Sequence, residues 1–281
     1  MNTQTIHAFT ARDEFELIRS ATDYPLERAE NGWVSGHFYR CRLTSVFQAV
    51  FDATTNKTTG HAAYVRSESN NEIALWPWQI FSMASSDDQL VSLDRLCRAI
   101  HSLNYFKKPL DSGRLFVSVH PRLLESVKDD HGRAFEDFLG LIGVRTSQVV
   151  IEIPSSVNRN WELLQKVIAN YRSRGYLIAA NYNRNGPSKY WMAELGSLYP
   201  DIVRIEADEL LRHEKIDDLV DIIYDFGANL LVWNVETPRH LYAAKRAKAH
   251  YFQGNYLAKP AMTIHSISPQ YLRENLSEFT Y

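Results

Sequence analysis

Histidine, cysteine and the carboxylates are the residue types that hold metals and move protons, yet their spacing here forms no local site. Ten histidines are present. Neither among them nor among His61, His101, His120, His131, His213, His240, His250 and His265 in particular is there a pair four residues apart, the spacing that puts two imidazoles on one helix face. Surface or core roles are therefore the expectation for them. The two cysteines, Cys41 and Cys97, are too few for a disulfide framework or a four-thiolate zinc site. There is no G-x-x-x-x-G-K-[ST] phosphate loop, no G-x-G-x-x-G after a strand, no H-E-x-x-H and no G-x-S-x-G nucleophile elbow. The Lys245–Lys248 segment reads as the solvated face of a helix. On local motifs alone the chain is an α/β barrel and nothing more specific.

The elements that must position any chemistry are clearer. From about Thr44 onward, short apolar runs rich in Val, Ile and Phe alternate with helical stretches. The expected strands are Ser45–Phe51, His61–Arg66, Leu115–Val119, Val149–Ile153, Leu177–Asn181, Ile202–Ile205, Leu230–Asn234 and His250–Phe252. Their continuous apolarity suits strands covered on both faces. Helix punctuation separates them. Asn158 or Asn160 caps a helix with Trp161, Leu164, Val167, Ile168 and Tyr171 on one face, ended by Gly175. Thr237–Pro238 opens another, bearing Leu241, Ala244 and Ala247, and Ser268–Pro269 opens a last one bearing Leu272 and Leu276. The insert between Ser67 and Arg114 carries a helix around Gln89–Leu103, and Thr10 caps a first helix near Arg12–Ala21. Eight strands alternating with helices predict a (β/α)₈, TIM-like barrel, with an open doubly wound sheet as the alternative. The expected division is an N-terminal arm over residues 1–40 with a short helix, and a barrel domain over 41–281.

Composition narrows the functional classes. The 281 residues are 45% hydrophobic, 12% aromatic and 23% charged, and the formal net charge is −2. A general nucleic-acid backbone binder carries a clear basic excess, so direct nucleic-acid binding is not expected. The opening MNTQTIHAFTARDEF has neither the basic region nor the apolar core of a signal peptide. No apolar run reaches the length of about 18 residues that spans a bilayer. The expectation is a cytoplasmic protein with no membrane segment.

Specificity enters with a series of short strings at the strand ends. These are Ser45-Val-Phe-Gln48-Ala-Val-Phe-Asp52, Gly60-His-Ala62-Ala63-Tyr64-Val65-Arg66, Leu115-Phe-Val-Ser118-Val-His-Pro121-Arg122 and Val150-Ile-Glu152-Ile153. There follow Ile178-Ala-Ala-Asn181-Tyr182-Asn183-Arg184-Asn185-Gly186, Val203-Arg204-Ile205-Glu206, Leu231-Val-Trp233-Asn234-Val235-Glu236-Thr237 and Phe252-Gln253-Gly254-Asn255-Tyr256. In order and spacing, the series resembles the EAL-type cyclic-di-GMP phosphodiesterase domain of bacterial signalling proteins, over about residues 40 to 262. The matching family strings are the strand with its QPI-type glutamine, G-x-E-A-L-L-R, S-V-N-L-S-P, L-E-I-T-E, I-A-L-D-D-F-G-T-G, L-K-I-D, V-A-E-G-V-E-T and Q-G-Y. The resemblance implies a barrel fold of the EAL type.

It also implies hydrolysis of a cyclic dinucleotide on Mg²⁺ or Mn²⁺, which demands several hard oxygen ligands converging on each ion. Carried across residue by residue, the family's ligand set looks degenerate here. The signature glutamate is Ala62, the ligand asparagine is Ser118, and the paired aspartates are Asn181 and Tyr182. The lysine beside the metals is Arg204, and the first glutamate of E-G-V-E is Trp233. Glu152, Glu236 and Gln253 are retained. The resemblance therefore implies no catalytic residue, no metal and no cofactor in this chain.

Two non-catalytic roles follow from it. As a receptor for cyclic-di-GMP, the chain would use Gln48, Tyr64, Arg66 and Gln253: the arginine as a fork of donors for a phosphate, the tyrosine as a stacking face for a guanine. The competing assignment pairs Arg66 with an acid such as Glu152 and leaves Tyr64 as packing. As a regulator, the chain would bind another regulatory protein, because Trp233 and Tyr182 shrink the pocket. The loop Asn183-Arg184-Asn185-Gly186-Pro187-Ser188 keeps only the family's glycine, and no output domain is evident. Trp76, Trp78, Tyr190 and Trp191 are either a hot spot for such a partner or barrel cover. The regulator is the leading expectation, the metal-independent receptor the alternative, and a residual phosphodiesterase the third.

Overall fold

Five-residue runs that are apolar and buried at almost every position, such as Val149–Ile153, can only be strands covered on both faces. A computed structural model describes residues 11–68, 75–107, 113–126, 130–154, 161–182, 196, 198–212 and 216–264. Ten strands lie in one sheet: β1 (Leu26–Arg28), β2 (Val34–Phe38), β3 (Cys41–Asp52), β4 (Thr58–Glu68), β5 (Arg114–Ser118), β6 (Val149–Ile153), β7 (Leu177–Asn181), β8 (Ile202–Glu206), β9 (Asn229–Trp233) and β10 (Tyr251–Phe252). Strands β3 to β10 close on themselves, since β3 pairs with both β4 and β10. The outer helices are α1 (Ala11–Thr22), α2 (Pro77–Ser82), α3 (Asp87–Tyr105), α4 (Pro121–Ser126), α5 (Arg133–Leu141), α6 (Trp161–Ser173), α7 (Ala207–Arg212), α8 (Ile216–Asp225) and α9 (Pro238–Arg246).

The closed eight-stranded α/β barrel of EAL type is as expected, with one correction. Pairs from β4 to β10 are parallel, but β3 runs antiparallel to both neighbours, so the barrel is mixed. The cause is the five-residue connection after β3, too short for the helical crossover that parallel neighbours require. It is a tight turn instead. Asp52 Oδ1 accepts the N–H groups of Thr54 (3.0 Å) and Thr55 (2.7 Å), and Asn56 takes the left-handed conformation at φ +54°.

The barrel interior is filled by Val50, Ala62, Phe116, Val150, Ala179, Ile202 and Leu231. Between sheet and helices lie two further apolar clusters, one built largely around α3, the other around α7 to α9. Strands β1 and β2 extend the sheet beyond β3 under α3, so closely that a Cβ on Gly36 would meet Leu96 and Ile100 at 2.8 and 2.9 Å. The helix α3 opens on a capping box, Ser86 accepting from the Gln89 N–H. It carries a buried ion pair, Arg98 Nε to Asp94 Oδ2 at 2.6 Å, with Arg98 also donating to the Tyr171 hydroxyl and lying 5.0 Å over the Phe135 ring. No helix among the described residues is long and apolar enough to cross a membrane. The expected cap at Thr10, the cap at Asn158 or Asn160, the loop 183–188, Tyr190, Trp191 and the helix after Ser268–Pro269 lie outside the described residues.

Candidate functional site

In a strand, alternate side chains point to opposite faces. At the carboxyl ends of the barrel strands this alternation brings polar residues inward. The registers Ser118↔Glu152, Asn181↔Arg204 and Glu206↔Trp233 set them side by side around the mouth. Gln48 reaches the same mouth from the middle of the antiparallel β3, opposite Ala62. Tyr64 stands two residues beyond Ala62 on the same face of β4.

The centre of the mouth is a guanidinium. Arg204, only 4% exposed, donates from Nη1 to Glu152 Oε2 at 2.9 Å and to Asn181 Oδ1 at 3.2 Å, and from Nη2 to Gln253 Oε1 at 3.3 Å. Its Cζ lies 5.3 Å from the centre of the Trp233 ring, a cation–π contact. Ser118 donates its hydroxyl to the same Glu152 oxygen. Gln253 Nε2 in turn donates to the Tyr64 hydroxyl (2.8 Å) and to Gln48 Oε1 (3.0 Å). Gln48 Nε2 donates to Asn255 Oδ1 and the Ala258 carbonyl. Asn255 is itself held by Glu236, which accepts its N–H at 3.1 Å and its Nδ2 at 2.9 Å. Burial, and after it the negative charge of Glu152, pushes the Tyr64 phenol up to about 12, so it stays a neutral hydroxyl. Among the described residues, the buried Glu152 Oε1 accepts no hydrogen bond and the buried Arg204 Nε donates none.

This network therefore joins Gln48, Tyr64, Ser118, Glu152, Asn181, Arg204, Trp233 and Gln253, with Glu236 at its edge. Three of the expected residues lie apart. Ala62 is one layer lower, in the barrel interior. Tyr182 points outward and packs with the α7 to α9 cluster, so it does not narrow the mouth. Arg66 sits at the rim, its guanidinium 5.8 Å over Tyr64 and 5.1 Å over Trp76 and donating to the Val65 carbonyl. The suggested Arg66–Glu152 pairing is thus replaced by Arg204–Glu152. Trp76 and Trp78 are exposed.

Asn255 and the Glu206–Asn234 bond (2.8 Å) were not anticipated. The signal available was Asn234 in Trp-Asn-Val-Glu, since asparagine tolerates the left-handed φ of +55° found there. Gly254 sets the turn that carries Gln253 and Asn255: a Cβ there would meet the Val235 backbone at 2.2 to 2.5 Å. Gly254→Ala is expected to destabilise by about 1–3 kcal/mol, the range for forced overpacking. An unchanged urea midpoint would show that the turn gives way freely.

Among the described residues no group of three or more His, Cys, Asp or Glu side chains is placed to hold a metal ion. Comparison with known proteins adds the family. The family model for the EAL domain matches residues 32–260. The fold is similar to the Bacillus subtilis YkuI protein, with an EAL domain, in complex with substrate c-di-GMP and calcium (TM-score 0.71, 24% identity, covering 84% of this chain and 61% of that one). It is similar to Klebsiella pneumoniae BlrP1 in a manganese/cy-diGMP complex (TM-score 0.68, 21% identity, 83% and 60%). It is also similar to a standalone versatile EAL protein from Vibrio cholerae O395 in a c-di-GMP-bound form (TM-score 0.69, 19% identity, 84% and 99%). The chain spans less than two thirds of the first two. No functionally curated protein sequence matches it. With the family model covering most of the chain, this protein belongs to the EAL domain family.

Proposed function

We propose that this chain is a non-catalytic EAL domain that works in cyclic-di-GMP-linked signalling by binding another regulatory protein. The observation that carries the reading is the Arg204–Glu152 ion pair at the centre of the barrel mouth. A guanidinium keeps its charge at any pH a protein survives. A divalent cation bound to Glu152 would face it at close range. Two like unit charges ~4 Å apart repel by about 4 kcal/mol at an effective dielectric near 20, and a dication doubles that. A cluster of carboxylates offsets such repulsion; here the mouth offers one buried carboxylate, already spent on the arginine, beside a serine, an asparagine and an indole. The residues present do not fit a Mg²⁺ or Mn²⁺ pair.

The test has two arms. Purified protein with Mg²⁺ or Mn²⁺ is expected to leave cyclic-di-GMP uncleaved at micromolar enzyme, and affinity purification from the source cell is expected to return one stoichiometric partner. Turnover would overturn the first half of the reading, and a bare eluate the second.

The receptor alternative has its own observation: Arg66 lies against Tyr64 and Trp76 at the rim, a cation beside two aromatic faces of which Trp76 is 57% exposed. Such a group suits a phosphate next to a stacked base. On that alternative, titration calorimetry registers binding with and without Mg²⁺, and Arg66→Ala weakens it by about 1.5–3 kcal/mol, the range for a hydrogen bond to a charged group.

A further inference from the structure

Away from the mouth, the end of α3 meets the amino end of β5, where the Tyr105 hydroxyl donates to the Arg114 carbonyl at 3.0 Å. Beside that end, between α1, β2 and α3, lies a cavity of about 230 Å³. Its walls are apolar: Phe15 and Ile18 from α1, Val34 from β2, Leu103 from α3 and Phe106 just after it. The walls are fixed in place. Asn104, 2% exposed, accepts the Val34 N–H on Oδ1 and donates from Nδ2 to the Val34 carbonyl, both at 2.7 Å, tying β2 to α3.

Two features of the lining suit a ligand better than a packing void. The first is Ser102, which lines the cavity at 0% exposure, yet its hydroxyl has no hydrogen-bond partner among the described residues. A buried hydroxyl left unpaired is costly, and an oxygen carried in by an occupant removes that cost. The second is charge. Lys107 and Arg28, both exposed, stand at the rim, and no acidic residue lines the cavity among the described ones. Their heads converge on one point: a Cβ on Gly32 would meet Lys107 Nζ at 2.6 Å and Arg28 Nη2 at 3.4 Å. The Arg28 guanidinium lies 5.8 Å from the centre of the Phe15 ring, and Lys107 donates to the Asn31 carbonyl. An ammonium carries three donors and a guanidinium five, so each has capacity for an anion beyond one such contact.

Apolar walls, two converging cations at the rim and an unsatisfied hydroxyl inside select one kind of ligand. We propose that this cavity binds a small amphipathic acid. Lys107 and Arg28 hold its carboxylate, its tail lies against Phe15, Ile18, Leu103 and Phe106, and a hydroxyl on that tail pairs with Ser102. An apolar cavity of about 150 Å³ takes up benzene, so this one accommodates a chain of roughly eight carbons. The inference does not depend on the proposed function.

Titration calorimetry tests it with three probes: β-hydroxyoctanoate, octanoate and the neutral diol of the same chain. The hydroxy acid is expected to bind and octanoate to bind more weakly. The diol should bind about tenfold more weakly or worse, the fold-change that one charge-assisted hydrogen bond is worth. Lys107→Gln with Arg28→Gln should raise the Kd of the hydroxy acid by the same factor, and Ser102→Ala should erase its advantage over octanoate. Leu103→Trp, which fills the cavity while both cations remain, should abolish binding, with thermal melting of each variant to show that it folds. No heat from the hydroxy acid at millimolar concentration overturns the proposal. So does a diol that binds as tightly as the acid, or full affinity in the charge variant or in Leu103→Trp.

Discussion

Replacing Asp94 by leucine is expected to destabilise the protein by about 3–5 kcal/mol, because it strands a buried charge. Arg98, 4% exposed, is held between Asp94 at 2.6 Å, the Tyr171 hydroxyl and the face of Phe135. An arginine cannot discard its proton to escape the interior, so the variant keeps a guanidinium charge in an apolar wall. The second half of the expectation separates charge from packing. Adding Arg98→Met to Asp94→Leu should recover most of the loss, since well-packed apolar pairs replace buried ion pairs at little cost. Urea unfolding of the wild type, the two single variants and the double variant reads both effects in one cycle. A single-variant loss under about 1 kcal/mol would mean that water reaches Arg98.

Arg204→Met is expected to cost a similar amount, about 3–5 kcal/mol at neutral pH. Here the stranded charge is a carboxylate. Glu152 is 3% exposed, and without Arg204 it retains, among the described residues, only the Ser118 hydroxyl as a donor to its side chain. Glu152→Gln on top of Arg204→Met should restore stability at neutral pH. Thermal denaturation of the single and double variants at pH 7.5 checks this, and an unaltered melting temperature for Arg204→Met would show that the ion pair contributes nothing net.

The sequence revealed the barrel strands closely because each is apolar through and through. Val149–Ile153 and Leu177–Asn181 coincide with β6 and β7, and the others differ by a few residues at their ends. Strands β1 and β2 escaped for the converse reason. Leu26–Arg28 is three residues long with one buried side chain, and Val34-Ser-Gly-His-Phe mixes small and polar residues whose burial depends on α3 lying over them. The direction of β3 is legible in the Asp52–Lys57 turn, which is too short for a parallel crossover.

At the site, Glu152, Arg204 and Gln253 lie at one mouth, a placement that strand alternation and register carry. Their pairing was not legible. Arg66 lies in the carboxyl-terminal half of its barrel strand and Arg204 in the middle of its own, and only the three-dimensional arrangement shows that Arg204 bridges to Glu152 while Arg66 lies on Tyr64 and Trp76. The Asp94–Arg98 spacing is an ordinary helical i, i+4 pair in sequence; its burial is what gives it weight.

The seam between β3 and β10 bears on how this chain reaches its folded state. That seam joins Phe51 to Phe252, and the seam strand β10 is only two residues long. A nascent chain can form the β3–β4 hairpin early, as a local contact, yet the second edge of β3, paired with β2 only over Cys41–Leu43, stays open at the end that meets β10 until some two hundred further residues have been made. Non-local pairing of this kind slows folding, and an exposed strand edge invites pairing with other chains. The interval before closure is when this protein is most prone to aggregate, and dependence on chaperones should be concentrated there rather than in the finished barrel.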